Sequence, residues 1–485
     1  MTDIADIAEF KPENAGARVS GHGFDAWIAE TRELLKLAGP LILTQLAQMA
    51  IGTTDTLMLA RFSNTALAGA VLGNTMFYFC WLLGSGPTSA VSPMIAHILG
   101  ADPENKDDVR IVARMGFWSV LMVGVPLFLL LQFAHPIMLA FGQSEQLASA
   151  SAAFLVPLSF GLPFSLGFQV LRNYSTALSK PNASLIVMGV SVFFNALFDY
   201  TLIFGHFGFP RLGLMGSGVA SATSFAVSFC IMLIVVRLTP KLHAYRIFRD
   251  VLTPDWSKLR EVYRLGLPIG LTMMFEACLF FSSNFFMGHF GLDYLAAHTI
   301  AMNVPSITFM VPLGIAMAAT VRVGLAAGAG DNEAVRRAGW GAILVASAFM
   351  TMTSFILWTW PMEIAQLYLP PTAQNMPSLL LAVMFLHVAA VFQIVDGIQV
   401  TAALSLRGLK DARAPMWIAG ASYWLAGFPT CMLFAFGFGL KGLGIWYGLA
   451  FGLLVAAVLM CWRFWWLSKE AAGLRTSAES SAVVA

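Results

Sequence analysis

Four carboxylates lie inside stretches of this sequence that are otherwise apolar and long enough to cross a membrane. They are Asp55, Asp199, Glu276 and Asp396. A charged carboxylate at the centre of a bilayer costs about 3 kcal/mol on insertion scales, so these side chains are expected to face a cavity or a partner. No Lys or Arg lies deep enough in these stretches to pair with them. Each acid must then be hydrated, bind a cation or hold a proton, and each of these states suits coupling to Na⁺ or H⁺.

Polar and aromatic residues recur on the faces that carry the acids, because residues three, four or seven apart share one face of an α-helix. Those expected to line a cavity are Gln48 with Asp55, Met273 and Phe280 with Glu276, and Phe392 and Gln393 with Asp396. Asn195, one turn before Asp199, joins the four acids as a candidate for binding a cation or a substrate. Acids supply charge and aromatic rings supply cation–π contact, so the pattern predicts a cavity for bulky organic cations. Glu276 and Asp396 fall nearer the middle of their stretches, which makes them the candidate ligands for Na⁺.

The composition predicts that these acids are held by membrane-spanning helices. Hydrophobic residues make up 58% of the chain and charged residues only 11%, whereas soluble proteins carry about 25% charged residues. Charged residues bound twelve windows, and each window holds one span of roughly 20 residues. The predicted spans are 35–60, 66–99, 111–134, 147–178, 184–206, 213–238, 261–289, 294–326, 338–362, 376–404, 414–437 and 441–466. The expected fold is therefore an all-α integral membrane protein with twelve transmembrane helices.

The basic residues predict the orientation of these spans. With the N-terminus in the cytosol, 25 of the 28 Lys and Arg residues fall on the cytosolic side. Only Arg61, Arg211 and Lys441 fall on the other side. Because cytosolic loops carry the excess of basic residues, both termini and the loop 237–264 are expected to be cytosolic. Residues 1–33 carry acids and lack a short apolar segment followed by a small-residue cleavage site. We therefore expect no signal peptide.

The chain also repeats itself at a constant offset. Leu-Ala-Gly-Pro at 37–40 recurs as Leu-Gly-Leu-Pro at 265–268, 228 positions later, and Gly100 meets Gly328 at the same offset. Both halves contain six helices and begin on the same side, so they are expected to form two pseudo-symmetric six-helix bundles about an axis along the membrane normal. The expected segments are a cytosolic N-terminal segment 1–33, an N-lobe 34–240, a cytosolic linker 241–260, a C-lobe 261–467 and a cytosolic tail 468–485.

Several function classes have no support in the sequence. There is no Walker A loop and no HExxH motif, and the five cysteines are scattered through apolar runs without the pattern of a disulfide framework. A net charge of +2 is too small to give a positive electrostatic field that would attract nucleic acid. The chain is therefore not expected to be an enzyme or to need a cofactor beyond a coupling ion, Na⁺ or H⁺. The expected partners are small organic cations and membrane lipid, and the expected state is a monomer.

Six stretches carry a resemblance to a known family. They are 37–62, 180–208, 264–281, 295–303, 318–324 and 393–413. Together with the count of twelve helices, they resemble the multidrug and toxic compound extrusion (MATE) family, in particular its bacterial NorM-like branch. The resemblance implies two six-helix lobes around a V-shaped cavity in a bacterial cytoplasmic (inner) membrane. It also implies efflux of cationic drugs in exchange for Na⁺ or H⁺.

Carried over by position, Glu276 and Asp396 look like the C-lobe acids of this family. Asp55 with the pair Asn195 and Asp199 looks like the polar site of the N-lobe. The NorM-like pattern commonly has Asn where Asp199 stands, and Asn followed four residues later by Asp resembles the DinF-like branch instead. The chain thus combines features of two branches, and the resemblance leaves open both the coupling ion and the lobe that binds it.

Two alternatives remain to be compared with an antiporter. A lipid-linked sugar flippase of the same superfamily needs cationic residues to hold a pyrophosphate, whereas the charged residues deep inside the predicted spans are all acidic. An integral membrane enzyme would need a cluster of metal ligands or a nucleophile facing the cavity, and no such pattern is found. The sequence therefore favours a cation-coupled antiporter.

Overall fold

The structure, a computed structural model, describes residues 23–482, which form helices and connecting loops with no strand in that range. The first 22 residues of the predicted N-terminal segment and the last three of the predicted tail lie outside the described residues. Eleven described helices are long and apolar enough to cross a membrane, and a helix pair bent by 46° counts as a twelfth. The expected all-α membrane fold is thereby confirmed.

The spans are numbered here in chain order, and span 4 is the bent pair. Spans 1 to 12 are Phe24–Phe62, Thr65–Ala101, Lys106–Gln132, Glu145–Ser159 with Leu162–Ala177, Asn182–Phe204, Leu214–Leu238, Trp256–Phe290, Leu292–Gly328, Asn332–Thr359, Met376–Gly408, Arg413–Gly437 and Lys441–Lys469. The linker end is the end of the molecule that carries the loop between spans 6 and 7, and the opposite end is the far end.

The start of span 1 differs most from the prediction. The helix begins at Phe24 rather than at residue 35, whereas every other predicted end lies within six residues of the observed one. The charged residues before Lys36 closed the apolar window, but a helix continues wherever its side chains find partners. Glu30 and Leu34 are buried in this first part, so the predicted span 35–60 was too short.

Prolines account for the break within span 4. Pro157 lies in the last turn of Glu145–Ser159, and the next helix begins with a proline in its first turn at Pro163. A proline removes one backbone hydrogen bond and fits best at the start of a helix. Gly161, between the two helices, lies so close to Phe225 and Ala222 of span 6 that a Cβ atom would approach them within 3.0 Å. The break therefore allows span 6 to pack closely.

Side-chain caps fix where three spans begin at the linker end. Asn105, Asp255 and Asp331 precede spans 3, 7 and 9. Each side-chain oxygen accepts a hydrogen bond from the backbone nitrogen three residues later, at 3.1, 3.0 and 2.9 Å respectively. Caps of this kind satisfy backbone groups that the helix itself leaves free.

Equivalent glycines of the two repeats bring the bundles into backbone contact at the linker end. A Cβ on Gly100 would overlap the carbonyl oxygen of Leu325, and a Cβ on Gly328 would overlap that of His97. The two contacts are related by the same 228-residue offset. The sequence repeat is therefore also a repeat of contacts, about an axis that passes between spans 2 and 8.

A second symmetric pair of contacts lies deeper in the molecule. Gly86 of span 2 packs against Gly270 of span 7, and Gly314 of span 8 packs against Ile42 of span 1. These positions too are related by the 228-residue offset. Close helix contacts through small residues are typical of membrane bundles. The two bundles are thus held together along spans 1, 2, 7 and 8.

Spans 1 and 7 change bundles along their length. Near the linker end, Leu34, Leu37 and Leu41 of span 1 lie in a cluster with Ile315, Ala319, Ala342 and Ala346 of spans 8 and 9. Near the far end, Leu59 lies in a cluster with Ile203 of span 5. Span 7 does the converse: Leu259, Val262 and Leu265 pack with residues of the first half, and Leu279 and Met287 pack with the second half. Each of the two helices therefore braces the opposite bundle at the linker end.

A buried ion pair adds to this brace. Both oxygens of Glu30 in span 1 accept hydrogen bonds from the guanidinium of Arg322 in span 8, at 2.7 and 2.6 Å. The side chains are buried, with only 3% of Glu30 and 7% of Arg322 exposed. A bidentate geometry of this kind is the strongest form of such a pair. It ties the two halves of the chain together at the linker end.

Closure at the linker end should depend on the absence of a side chain at Gly328. The substitution Gly328→Val places atoms where the carbonyl of His97 lies, and overpacking costs about 1–3 kcal/mol. We expect the two bundles to move apart there. Spin labels at the exposed positions Lys106 and Arg336 of a cysteine-free variant should report a longer distance by pulsed electron paramagnetic resonance. Gly288→Val, where a Cβ meets nothing within 4 Å, is the control, and an equal lengthening in both would contradict the contact.

Candidate functional site

Two of the predicted acids lie together in the first bundle. Asp55 of span 1 accepts a hydrogen bond from the hydroxyl of Ser221 of span 6, with 3.0 Å between the oxygens. Asp199 of span 5 interacts with Asp55 and with Ser217. Asn195 lies one turn from Asp199 on the same helix, and both are completely buried. We call Asp55, Asn195, Asp199, Ser217 and Ser221 the first cluster.

The first cluster contains several buried polar atoms without a hydrogen-bond partner of good geometry. They are one carboxylate oxygen of Asp55, both of Asp199, the amide nitrogen and oxygen of Asn195, and the hydroxyl of Ser217. An unsatisfied buried polar group is costly, and two carboxylates in contact repel each other when both are charged. A proton or a small cation between them would remove both costs. The arrangement is therefore chemically suited to bind and release such an ion.

The other two acids interact in the second bundle. Glu276 of span 7 is half-buried, and Asp396 of span 10 is buried and within electrostatic range of it. Among the described residues, one oxygen of Asp396 has no hydrogen-bond partner, and neither has the amide oxygen of Gln399 one turn further on. The sequence placed these acids on separate helices, and the fold brings them within range of one another.

Arg407 corrects one premise of the sequence analysis. It lies at the linker end of span 10, yet it is buried and its charge acts on Glu276. Side chains of a helix tilt toward its N-terminus, so a basic residue in the last turn can act electrostatically on acids deeper in the span. Arg407 lies eleven residues after Asp396, which is about three helical turns, so the two share a face. That spacing is the signal that would have found it.

Tyr423 completes the group around the second pair of acids. It is buried in span 11 and interacts electrostatically with Glu276, Asp396 and Arg407. It lies in a π-helical stretch, Ser422–Gly427, and such stretches are rare and frequently occur at functional sites. Its hydroxyl has no hydrogen-bond partner in the part of the chain that the structure describes. We call Glu276, Asp396, Arg407 and Tyr423 the second cluster.

Several aromatic side chains lie on the helices that carry the second cluster or on their neighbours. The rings of Phe280 and Phe392 meet edge to face with 6.1 Å between their centres, and Phe392 also meets Trp446 at 5.6 Å. Tyr78 of span 2 lies within electrostatic range of Glu276 from the first bundle. Met273 contacts the hydroxyl of Ser85 of span 2, with 3.8 Å between sulfur and oxygen.

Two predicted cavity residues are engaged by neighbouring helices. Gln393 is buried, accepts a hydrogen bond from Thr308 at 3.0 Å, and donates one to the carbonyl of Met350 at 3.5 Å. Gln48 accepts one from Arg172 at 3.4 Å. Their side chains therefore hold spans together in this conformation. Among the predicted cavity residues, Met273 and Phe280 are the half-buried ones without such amide contacts.

Arg172 and Ser221 are further residues that the sequence analysis missed. Arg172 of span 4 is buried and donates hydrogen bonds to Gln45 and Gln48 of span 1. Ser221 belongs to a row of buried serines on one face of span 6, with Ser217, Ser224 and Ser228. A row at spacings of four, three and four is a visible signal of a polar face. The arginine offers no comparable signal because its partners lie on another span.

Among residues 23–482 no three His, Cys, Asp or Glu side chains are grouped closely enough to hold a metal ion. Each cluster instead combines two carboxylates with hydroxyl or amide oxygens.

The fold and the two clusters define a class of protein, a polytopic membrane transporter, because a pair of acids inside each of two helical bundles suits ion-coupled transport rather than catalysis. The MatE family model matches residues 40–201 and again 268–433. The chain belongs to the MatE family. The two matches begin 228 positions apart, which confirms the internal repeat.

Known proteins agree with this assignment over nearly the full length. The chain is 41% identical over 439 residues to the probable multidrug resistance protein NorM of Brucella suis, covering 90% of this chain and 93% of the relative. It is 40% identical over 459 residues to that of Mesorhizobium japonicum, covering 94% and 97%. Among solved structures, an outward-facing multidrug resistance MATE family transporter superposes with a TM-score of 0.82 at 19% identity, covering 91% of this chain and 96% of that one. The likeness to the solved structure shows the fold.

Proposed function

We propose that this MatE family transporter is an antiporter that exports hydrophobic organic cations, including drugs and toxins, in exchange for Na⁺ or H⁺. The observation that carries the proposal is the presence of two acid pairs inside the bundles. No Lys or Arg lies within 4.0 Å of these four acids in the part of the chain that the structure describes. Relatives with about 40% identity are named as probable multidrug resistance proteins, which supports the same function here.

We propose that the segments act as the sequence analysis expected. The N-lobe is 34–240, the C-lobe is 261–467, and 1–33, 241–260 and 468–485 lie in the cytosol. Glu276 and Asp396 bind the coupling cation or the substrate, with Na⁺ or H⁺ as the alternatives. Asp55, Asn195 and Asp199 form a second site for a small cation. Met273, Phe280 and Phe392 contact the substrate, and Gln48 and Gln393 line the cavity when the spans that they now join separate.

Antiport follows from competition at an acid site. A bulky cation and a coupling ion repel each other, so simultaneous binding of both at one carboxylate is unfavourable. If each ligand favours a different arrangement of the bundles, binding of one expels the other across the membrane. The proposed protein works as a monomer in the bacterial inner membrane and needs no cofactor besides the coupling ion.

A flippase for a lipid-linked pyrophosphate is the second candidate, and the buried Arg172 and Arg407 favour it more than the sequence alone did. Arg172, however, already donates hydrogen bonds to Gln45 and Gln48, and Arg407 lies within electrostatic range of Glu276. Four buried or half-buried acids outnumber them. The electrostatic balance therefore still favours a cationic substrate.

Substrate charge is the direct test of the proposed function. Expression in a pump-deficient host should raise resistance to ethidium-like and fluoroquinolone-like compounds, because acids and aromatic rings select hydrophobic cations. Ethidium efflux should also stop when the Na⁺ gradient or the pH gradient is collapsed, and collapsing each separately identifies the coupling ion. The Glu276→Gln variant serves as the inactive control. Gains confined to anionic compounds would contradict the proposal.

The proposed orientation predicts how the linker reacts with external reagents. A cysteine introduced near Lys241 should not be labelled by an impermeant reagent added to intact cells, because the basic loop is expected on the cytosolic side. The same cysteine should be labelled after the cells are opened. A cysteine at Lys441, expected outside, is the matched control. Rapid labelling near Lys241 in intact cells would reverse the orientation.

A further inference from the structure

A concave pocket of about 330 Å³ lies on the loop that joins the two bundles. Half of its lining is basic and half is apolar. The lining residues are Val236, Arg237, Leu242, His243, Arg246, Ile247, Phe248 and Arg249. Nothing in the proposed transport cycle uses this pocket. Sidedness of basic residues explains why the loop is positive, but it does not explain why the side chains converge on a cavity.

The loop that forms the pocket is fixed to the first bundle. The hydroxyl of Tyr174 donates a hydrogen bond to the carbonyl of Leu242, with 2.6 Å between the oxygens. Arg114 and Trp118 of span 3 donate to the carbonyls of Asp250 and Val251, at 3.0 and 2.9 Å. Leu242 and Ile247 are buried beneath the loop. The pocket is therefore built in advance, and a ligand need not order it.

The positive charge of the pocket is largely uncompensated. No carboxylate lies within 4.0 Å of Arg237 or Arg246 among the described residues, and only Arg249 has an acid nearby, with 3.6 Å between its nitrogen and Asp250. The guanidinium of Arg237 lies over the ring of Phe248, 5.4 Å from the centre of the ring. Guanidinium groups held in this way present their donors to a planar or tetrahedral oxyanion.

Lys180 and Lys241 add positive charge beside the pocket. Burial, together with the positive charge of Lys241, lowers the pKa of Lys180 below its ordinary value. Lys241 belongs to the short helix Pro240–His243, of which two residues line the pocket. Two ammonium groups near each other favour an anion between or beside them.

The position of the pocket decides between a soluble anion and a lipid. Arg237 lies in the last turn of span 6, so the pocket opens where that span leaves the membrane. Leu238, the next residue, is 75% exposed, and four apolar side chains line the pocket beside the basic ones. A free phosphate would gain nothing from this apolar wall, whereas a lipid places its glycerol and acyl groups there. We propose that the pocket binds the phosphate group of an anionic phospholipid from the leaflet on the linker side.

Removing the two unpaired arginines should weaken lipid binding in steps. A basic residue at an anionic membrane surface contributes about five-fold in affinity. The double substitution Arg237→Gln with Arg246→Gln should therefore weaken retention of dioleoyl phosphatidylglycerol by about twenty-five-fold. The measurement is native mass spectrometry of the purified full-length chain, titrated in detergent with that lipid, with dioleoyl phosphatidylcholine, or with the first lipid in the presence of inorganic phosphate.

The matched control is the double substitution Arg336→Gln with Arg413→Gln. It removes the same charge from two exposed positions near other spans at the linker end and should leave retention within about two-fold of wild type. If the pocket variant does not purify as a folded protein, Arg246→Gln alone should weaken retention by about five-fold. The proposal fails if phosphatidylcholine is retained equally, if the control variant loses as much, or if inorganic phosphate displaces the lipid at equal concentration. The last result would assign the pocket to a soluble anion. None of these results depends on transport activity, so they test the pocket separately from the proposed antiport.

Discussion

Replacing Glu276 by glutamine or Asp396 by asparagine should abolish gradient-driven efflux. Either change removes a charge for which, in the proposed function, the coupling ion and the organic cation compete. A loss of coupling between two ligands of 1–3 kcal/mol lowers transport by about a hundred-fold at its upper limit. The measurement is drug efflux from proteoliposomes under an imposed Na⁺ or H⁺ gradient. Glu363→Gln, an exposed acid on the same half of the chain, should transport like wild type.

The acids of the first cluster should behave differently. Asp55→Asn and Asp199→Asn are expected to weaken transport unevenly across substrates, because in the proposed function these two residues tune the site of the N-lobe. Asp55 keeps its contact with Ser221 when it becomes an amide, so folding should survive. If both substitutions at Glu276 and Asp396 transport like wild type while Asp55→Asn or Asp199→Asn is inactive, then coupling belongs to the first cluster and our assignment is wrong.

Breaking the ion pair between Glu30 and Arg322 should shift the protein away from the closed arrangement at the linker end. Glu30→Gln leaves a buried guanidinium without a charged partner, and such a loss costs about 3–5 kcal/mol. At 1.4 kcal/mol for each factor of ten, the population of the closed arrangement should fall by about a hundred-fold or more. Distances between spin labels at Lys106 and Arg336 should lengthen accordingly.

Two further variants separate this effect from general destabilisation. The double substitution Glu30→Met with Arg322→Met removes the pair without leaving a buried charge and should restore much of the closed arrangement. Glu33→Gln breaks a pair with the half-exposed Lys36, 2.6 Å away, and should change little because pairs at the surface contribute about 0–1 kcal/mol. If Glu30→Gln leaves the label distances unchanged, the pair does not hold the bundles closed.

Much of the fold follows from the sequence because the membrane makes strong demands on composition. Charges end apolar windows, and the windows gave the spans to within six residues at all ends but the start of span 1. The exception at span 1 arises because a distant partner stabilises a polar stretch of helix. Residues before Lys36 are too polar to mark a span, but Glu30 is stabilised by an arginine almost three hundred positions away.

The sequence predicts which residue types belong to the candidate site better than it predicts which of those residues contact each other. Asp55 and Asp199 were recognisable because an acid in an apolar window is costly. Their contact with each other depends on how spans 1 and 5 pack, which no local pattern encodes. The same holds for Tyr423, whose proximity to Glu276 and Asp396 depends on how span 11 packs against spans 7 and 10.

The crossing of spans 1 and 7 has a consequence for the rate of the cycle. Both helices brace the opposite bundle at the linker end, together with the glycine contacts and the ion pair. Opening that end must break all of these interactions at once, so the unloaded protein should rest with its linker end shut. A compound that arrives from that side waits for a rare opening. Binding of the substrate from the linker side, rather than its release, is then the slow step. The rate of efflux should rise in proportion to the frequency with which the linker end opens.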